Sequence, residues 1–200
     1  MSELRSALVV EVPAAAPVVD RWRERTCADR PSIGVPAHVT ILFPFVPART
    51  IDDAVLSALR ELYSVFAPFA FELREARRFP DVLYLAPEPS ELFLQLIFAT
   101  ATAYPDRPPY DGEIPLDSIV PHLTVAHGDA LLLEKAEAEV RPRLPIHAKV
   151  NEVLLIEEAK PDYLLVLPWN LRDEIAAQLD YIHEWGGRCV VPIPRVEVLP

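Results

Sequence analysis

Apolar runs of two kinds succeed one another along the chain. Some are continuous or alternate with a period of two, as in strands; others recur every three to four residues, as in helices. Ser6 to Val12 is a continuous β-rich run and predicts a first strand. Pro17 to Ala28 predicts a helix opening on proline, with Val18, Val19 and Trp22 on one side. Ala37 to Phe43 predicts a strand, and Ile51 to Phe66 an amphipathic helix carrying Val55, Leu59, Leu62 and Phe66. Asp52 and Asp53 suit the start of that helix. Phe69 to Arg77 and Val82 to Ala86 flank the turn-forming Pro80-Asp81 and predict a hairpin. Ser90 to Tyr104 predicts a buried helix with Ser90 as its cap, and Tyr104 to Leu116 a loop.

The same order then resumes. His122 to Ala126 predicts a strand, Ala130 to Val140 a helix, and Ala148 to Glu157 and Tyr163 to Leu167 two further strands. A helix over Leu171 to Trp185 and a strand over Cys189 to Pro192 follow. Strand, helix and hairpin thus occur twice, 84 residues apart (122 − 38). This predicts an α+β fold of two pseudo-symmetric lobes, each a mainly antiparallel sheet with helices on its outer face. The lobes interleave in sequence and form one domain over residues 1–200.

Both copies of the first strand carry the same tetrapeptide: His38-Val39-Thr40-Ile41 and His122-Leu123-Thr124-Val125. Five His and six Thr occur in all, so random placement gives roughly 0.15 His-x-Thr matches. On a strand, residues i and i+2 share a face, so each copy presents a His and a Thr together while its apolar residues face a core. Two imidazoles across a cleft can divide acid and base roles, and the hydroxyls can hold phosphate oxygens. Opposite protonation requirements predict a bell-shaped pH dependence. Neither segment contains an Asp, Glu or Cys to complete a metal site, so no metal and no cofactor is expected.

The net charge of −11 and pI near 4.9 disfavour long nucleic acid, which binds largely by phosphate neutralisation. The partner expected is a small nucleotide or an RNA 3′ end. Only five Gly are present against 22 Pro, and neither GxGxxG nor GxxxxGK[ST] occurs. Two isolated Cys, no convincing signal sequence and no membrane-length apolar stretch point to the cytoplasm, without a membrane partner.

The paired motifs, with PAHVTILFPF, FPDVLYLAPEP and IVPHLTVAH around them, resemble those of the two-histidine phosphoesterase superfamily. Its 2′,5′ RNA ligase-like, or RNA 2′,3′-cyclic phosphodiesterase, branch is the nearest in appearance. The resemblance runs from about Ser6 to Leu167. It implies two lobes around a central cleft and metal-independent opening of a 2′,3′-cyclic phosphate or related phosphodiester. His38, Thr40, His122 and Thr124 would be the catalytic set, with either His as the base. A non-catalytic module binding nucleotides or RNA ends is the alternative.

Among the aromatic residues, Tyr84 and Tyr110 are candidates for a nucleobase wall, while strand parity sends Phe43 to the core. Arg77, Arg78 and Arg107 are candidate phosphate contacts. By the same parity His127 faces away from His122 and takes a strand-end role. His147 and His183 read as surface residues, and the three Trp as packing residues.

Overall fold

A computed structural model describes residues 4–26 and 35–157, and beyond them 163–165, 188–191, 197–198 and scattered positions near 174–179. The chain divides into two compact units, Met1–Glu158 and Ala159–Pro200.

The first unit is α+β, built on two antiparallel sheets. Its elements are β1 (Ser6–Glu11), α1 (Ala16–Thr26), β2 (His38–Leu42), α2 (Asp53–Ser64), β3 (Phe69–Phe79) and β4 (Val82–Glu88), then α3 (Glu91–Ala103), β5 (Leu123–His127), α4 (Ala130–Val140), β6 (Ile146–Val150) and β7 (Leu154–Glu157). One sheet has the order β2-β1-β7, the other β5-β4-β3-β6. Central β1 is buried on both faces, which explains its unbroken apolar run. Each motif strand is an edge strand, and the two edges, β2 and β5, lie in contact.

Helices cover the outer faces. α3 packs on β2 and α2 on α3. α1 precedes β2 in sequence yet packs on β5, beside α4. Trp22 Nε1 donates to Glu139 (3.2 Å) across this helix pair, and Arg143 donates to the Pro17 carbonyl (3.1 Å). Asp52 and Asp129 cap α2 and α4, accepting from the N–H of Val55 (2.9 Å) and Leu132 (2.8 Å). Ser90 precedes α3, but its side chain makes no capping bond because its backbone is already helical.

Two expectations change. Residues 148–157 are not one strand: β6 ends at Val150, and β7 begins at Leu154. β6 joins β3, whereas β7 crosses to β1, so the two lie in different sheets. The apolar pattern cannot distinguish one long strand from two short ones separated by a three-residue link. Through this crossing the last strand of the unit joins the sheet that holds its first.

The second unit contains a small sheet of β8 (Tyr163–Leu165), β9 (Arg188–Val191) and β10 (Glu197–Val198), with β8 and β9 parallel. Buried Cys189 lies on β9. Cys27, Trp169, His183, Trp185 and most of the helix expected over 171–185 lie outside the described residues.

Candidate active site

The two motifs are built alike down to single bonds. In each, the residues flanking Thr are buried: Val39 and Ile41 in β2, Leu123 and Val125 in β5. Each His and Thr is partly exposed on the other face. His38 Nδ1 lies 2.7 Å from the Pro36 carbonyl oxygen, and His122 Nδ1 lies 2.8 Å from that of Val120. A carbonyl can only accept, so Nδ1 carries the proton in both rings. That tautomer leaves the Nε2 lone pair of each imidazole for substrate.

Each motif strand also bulges at the residue after Thr. Val9 pairs with Thr40 and Leu8 with Leu42, leaving Ile41 extra. Tyr84 pairs with Thr124 and Leu83 with Ala126, leaving Val125 extra. Such bulges re-aim side chains and are common beside active sites. They also reset the alternation by one residue. Phe43 therefore returns to the Thr40 face and is partly exposed rather than core, while Phe45 is buried. His127, the last residue of β5, likewise shares the Thr124 face rather than facing away, and its N–H bonds Thr26 Oγ1 (3.2 Å).

Burial dominates the electrostatics. It pulls the His38 pKa down to about 4, against the Pro36 carbonyl, with further lowering by the charges of Arg23 and His122. The influence of His122 on His38 follows from the contact of β2 with β5. Burial also lowers the pKa of His122, opposed by the Val120 carbonyl.

Tyr84 stands beside His122, with ring centroids 5.4 Å apart. It is only 6% exposed, so it backs the imidazole instead of offering a free stacking face. Phe79 covers it at 4.3 Å in a stacked arrangement and meets His122 edge-on at 5.3 Å. Phe79 is partly exposed, which makes it the accessible aromatic of the site. Arg77 lies opposite Tyr84 in the same cross-strand row as Thr124, paired with Glu75 at 3.0 Å. Arg78 points to the helix side, where Glu137 accepts from its Nε (2.9 Å) and NH2 (2.6 Å), so it does not join the site.

The backbone of Tyr110 lies beside the end of the first motif strand. The Tyr110 N–H donates to the Phe43 carbonyl (2.6 Å), just past the end of β2. Burial raises the pKa of the Tyr110 phenol. Arg107 is exposed, with its N–H on the Tyr104 carbonyl (3.0 Å). His147 is exposed and paired with Glu72 at 3.1 Å.

Two residues at the site escape a reading of the motifs alone. Phe79 has the parity of Arg77 on β3. Arg23, 7% exposed, follows Val19 and Trp22 at helical spacing, which places it on the buried face of α1.

The family model of the 2′-5′ RNA ligase superfamily matches residues 10–162, spanning both motifs. The chain belongs to this superfamily. Membership places it among enzymes of phosphodiester chemistry. A model of a C-methyltransferase C-terminal domain matches residues 140–194, less than half of the chain. No curated protein sequence matches. Among solved structures, the crystal structure of a phosphoesterase is 18% identical at a TM-score of 0.49, covering 79% of this chain and 90% of that one. The structure of E. coli LigT complexed with 3′-AMP is 18% identical at a TM-score of 0.48, covering 79% and 89%. Among the described residues, no helix of this chain is long and apolar enough to cross a membrane.

Proposed function

We propose that this member of the superfamily is a metal-independent phosphodiesterase that opens a 2′,3′-cyclic phosphate, or a related phosphodiester, in a nucleotide or at an RNA end. The observation that carries the reading is the repeated bond from His Nδ1 to the carbonyl two residues earlier, on two edge strands in contact. It gives two oriented imidazoles of the same tautomer, each with Nε2 available.

The reaction needs one imidazole on each side of phosphorus. The first takes a proton from water as the water oxygen bonds to phosphorus. The second donates its proton to the ribose oxygen as the P–O bond to that oxygen breaks. The product is a phosphomonoester with a free neighbouring hydroxyl. Solvent then returns both imidazoles to their starting states. Thr40 and Thr124 donate to the non-bridging oxygens, where charge accumulates.

Phe79 supplies the nucleobase platform, with Tyr84 fixing Phe79 and His122 from behind. Arg77 is the nearest cation in the same row, two strands and about 10 Å from Thr124. Tyr110 and Arg107 are further candidate substrate contacts.

The test is steady-state hydrolysis of the four nucleoside 2′,3′-cyclic phosphates and of short RNAs ending in a cyclic phosphate, all in chelator. The reading expects turnover to a monoester. Micromolar binding without turnover of any of them supports instead a module that only binds nucleotides or RNA ends.

A further inference from the structure

Arg23 lies outside both motifs, on α1, and its guanidinium is enclosed where the two motifs meet. NH1 donates to the Thr124 carbonyl of the second motif at 3.1 Å. NH2 donates to the carbonyls of Val35 (3.0 Å) and Pro36 (3.2 Å), immediately before the first motif. The Pro36 oxygen is the same one that accepts from His38 Nδ1. One planar fork therefore spans the two catalytic strands and ends on the atom that orients one of the two imidazoles. A planar, permanently charged fork suits such a role, whereas an ammonium cannot hold three fixed acceptors in one plane.

This arrangement also breaks the pseudo-symmetry. His38 faces Arg23 from α1 and His122 from just before β5, and Glu11 stands opposite it on β1. Asp20 on α1 lies 3.9 Å from Arg23 Nε. His122 packs against the Phe79–Tyr84 aromatic pair, and its Nδ1 is held by the Val120 carbonyl. A cation beside His38 disfavours imidazolium there, whereas the shift of His122 comes from burial, opposed by the Val120 carbonyl.

We propose that Arg23 is a positioning residue: it clamps the two catalytic strands at a fixed separation and makes the histidines inequivalent, with His38 as the base and His122 as the acid. The assignment of roles rests on the phosphodiesterase reading above; the clamp and the inequivalence do not.

Full-length wild type, Arg23→Lys and Arg23→Met test it, with folding checked by thermal denaturation. The two His38 and His122 imidazoles are titrated by NMR in each, and kcat, KM and the pH profile of kcat/KM are measured with a 2′,3′-cyclic nucleotide. Lys keeps the charge and loses the fork. It is expected to leave the His38 titration low while kcat falls about tenfold to a hundredfold with KM within about threefold. Met removes the charge. It is expected to move the His38 titration and the acid limb of kcat/KM to higher pH, leaving His122 in place.

The proposal is overturned if Arg23→Lys keeps kcat within twofold of wild type, or if folded Arg23→Met titrates His38 where wild type does. Should Arg23→Met not fold, the kcat of Arg23→Lys decides. Roles are read from a phosphodiester with a nitrophenolate leaving group, which needs little help from an acid. On it His122→Ala should lose much less than on the cyclic nucleotide, and His38→Ala should lose as much; the reverse pattern overturns the role assignment. If wild type turns over no phosphodiester, the phosphodiesterase reading fails, and the NMR titrations alone still accept or reject the inequivalence.

Discussion

At the scale of single residues, the chemistry depends on where two protons sit. Both Nδ1 atoms are committed to backbone carbonyls, so Nε2 is the nitrogen each ring has left for a proton transfer. The pKa values of both histidines are depressed, that of His38 to about 4. The base must be neutral and the acid protonated, so kcat/KM, which reports the free enzyme, should rise with pH near 4 and fall again below 6.5. The kcat profile should lie at higher pH, because bound anionic phosphate favours both imidazolium forms. Coincident kcat and kcat/KM profiles centred above pH 7 would contradict this. Phe79→Ala should raise KM about tenfold while changing kcat little, as expected for loss of one base–aromatic stack. The His and Thr of both motifs were legible in the sequence because spacing alone puts them on one face. Arg23 was not, because an arginine at a buried helical position reads as a surface charge unless its carbonyl partners are known. Those partners come from sequence positions 12 to 101 residues away.

At the scale of elements, each motif strand is an edge strand with one bulge, and each bulge follows Thr. Most element positions could be read from periodicity; α4 runs from Ala130 to Val140, as its spacing predicts. The alternation failed where a bulge intervened, at Phe43 and His127, since one extra residue exchanges the faces beyond it. It also failed at 148–157, where pairing partners far away in sequence decide that two strands form. The cap of α4 comes just after the second motif strand. Asp129→Ala removes the bond to the Leu132 N–H and should cost about 1 kcal/mol in urea denaturation. Its kcat should stay within about twofold, because the cap positions the helix and not the imidazole. A larger loss of kcat than of stability would mean that α4 sets the geometry of β5.

At the scale of the whole molecule, the two buried motif histidines cost stability at acid pH. The folded His38 pKa lies below the unfolded value of 6.5, so the unfolded chain binds the proton more readily. The stability tied to neutral His38 is complete above pH 6.5 and is lost as pH falls toward 4. The depression of the His122 pKa acts in the same direction. The His38 shift alone should lower the unfolding free energy by roughly 2–3 kcal/mol between pH 6.5 and 4. His38→Gln should flatten that slope, and an unchanged slope in urea titrations across this window would argue against burial of a neutral imidazole. The interleaved topology is what brings such a pair together: two strands 84 residues apart (122 − 38) become adjacent edges, and a helix from the first half packs on the strand of the second. The central claim is that these two imidazoles act as one acid–base unit on a phosphodiester. Its most direct test is the turnover of a nucleoside 2′,3′-cyclic phosphate, in chelator, by wild type, His38→Ala, His122→Ala and the double variant. Each single variant should lose about 10²–10⁴-fold in kcat, and the double variant should be little worse than either. Wild-type turnover in either single variant would contradict the account.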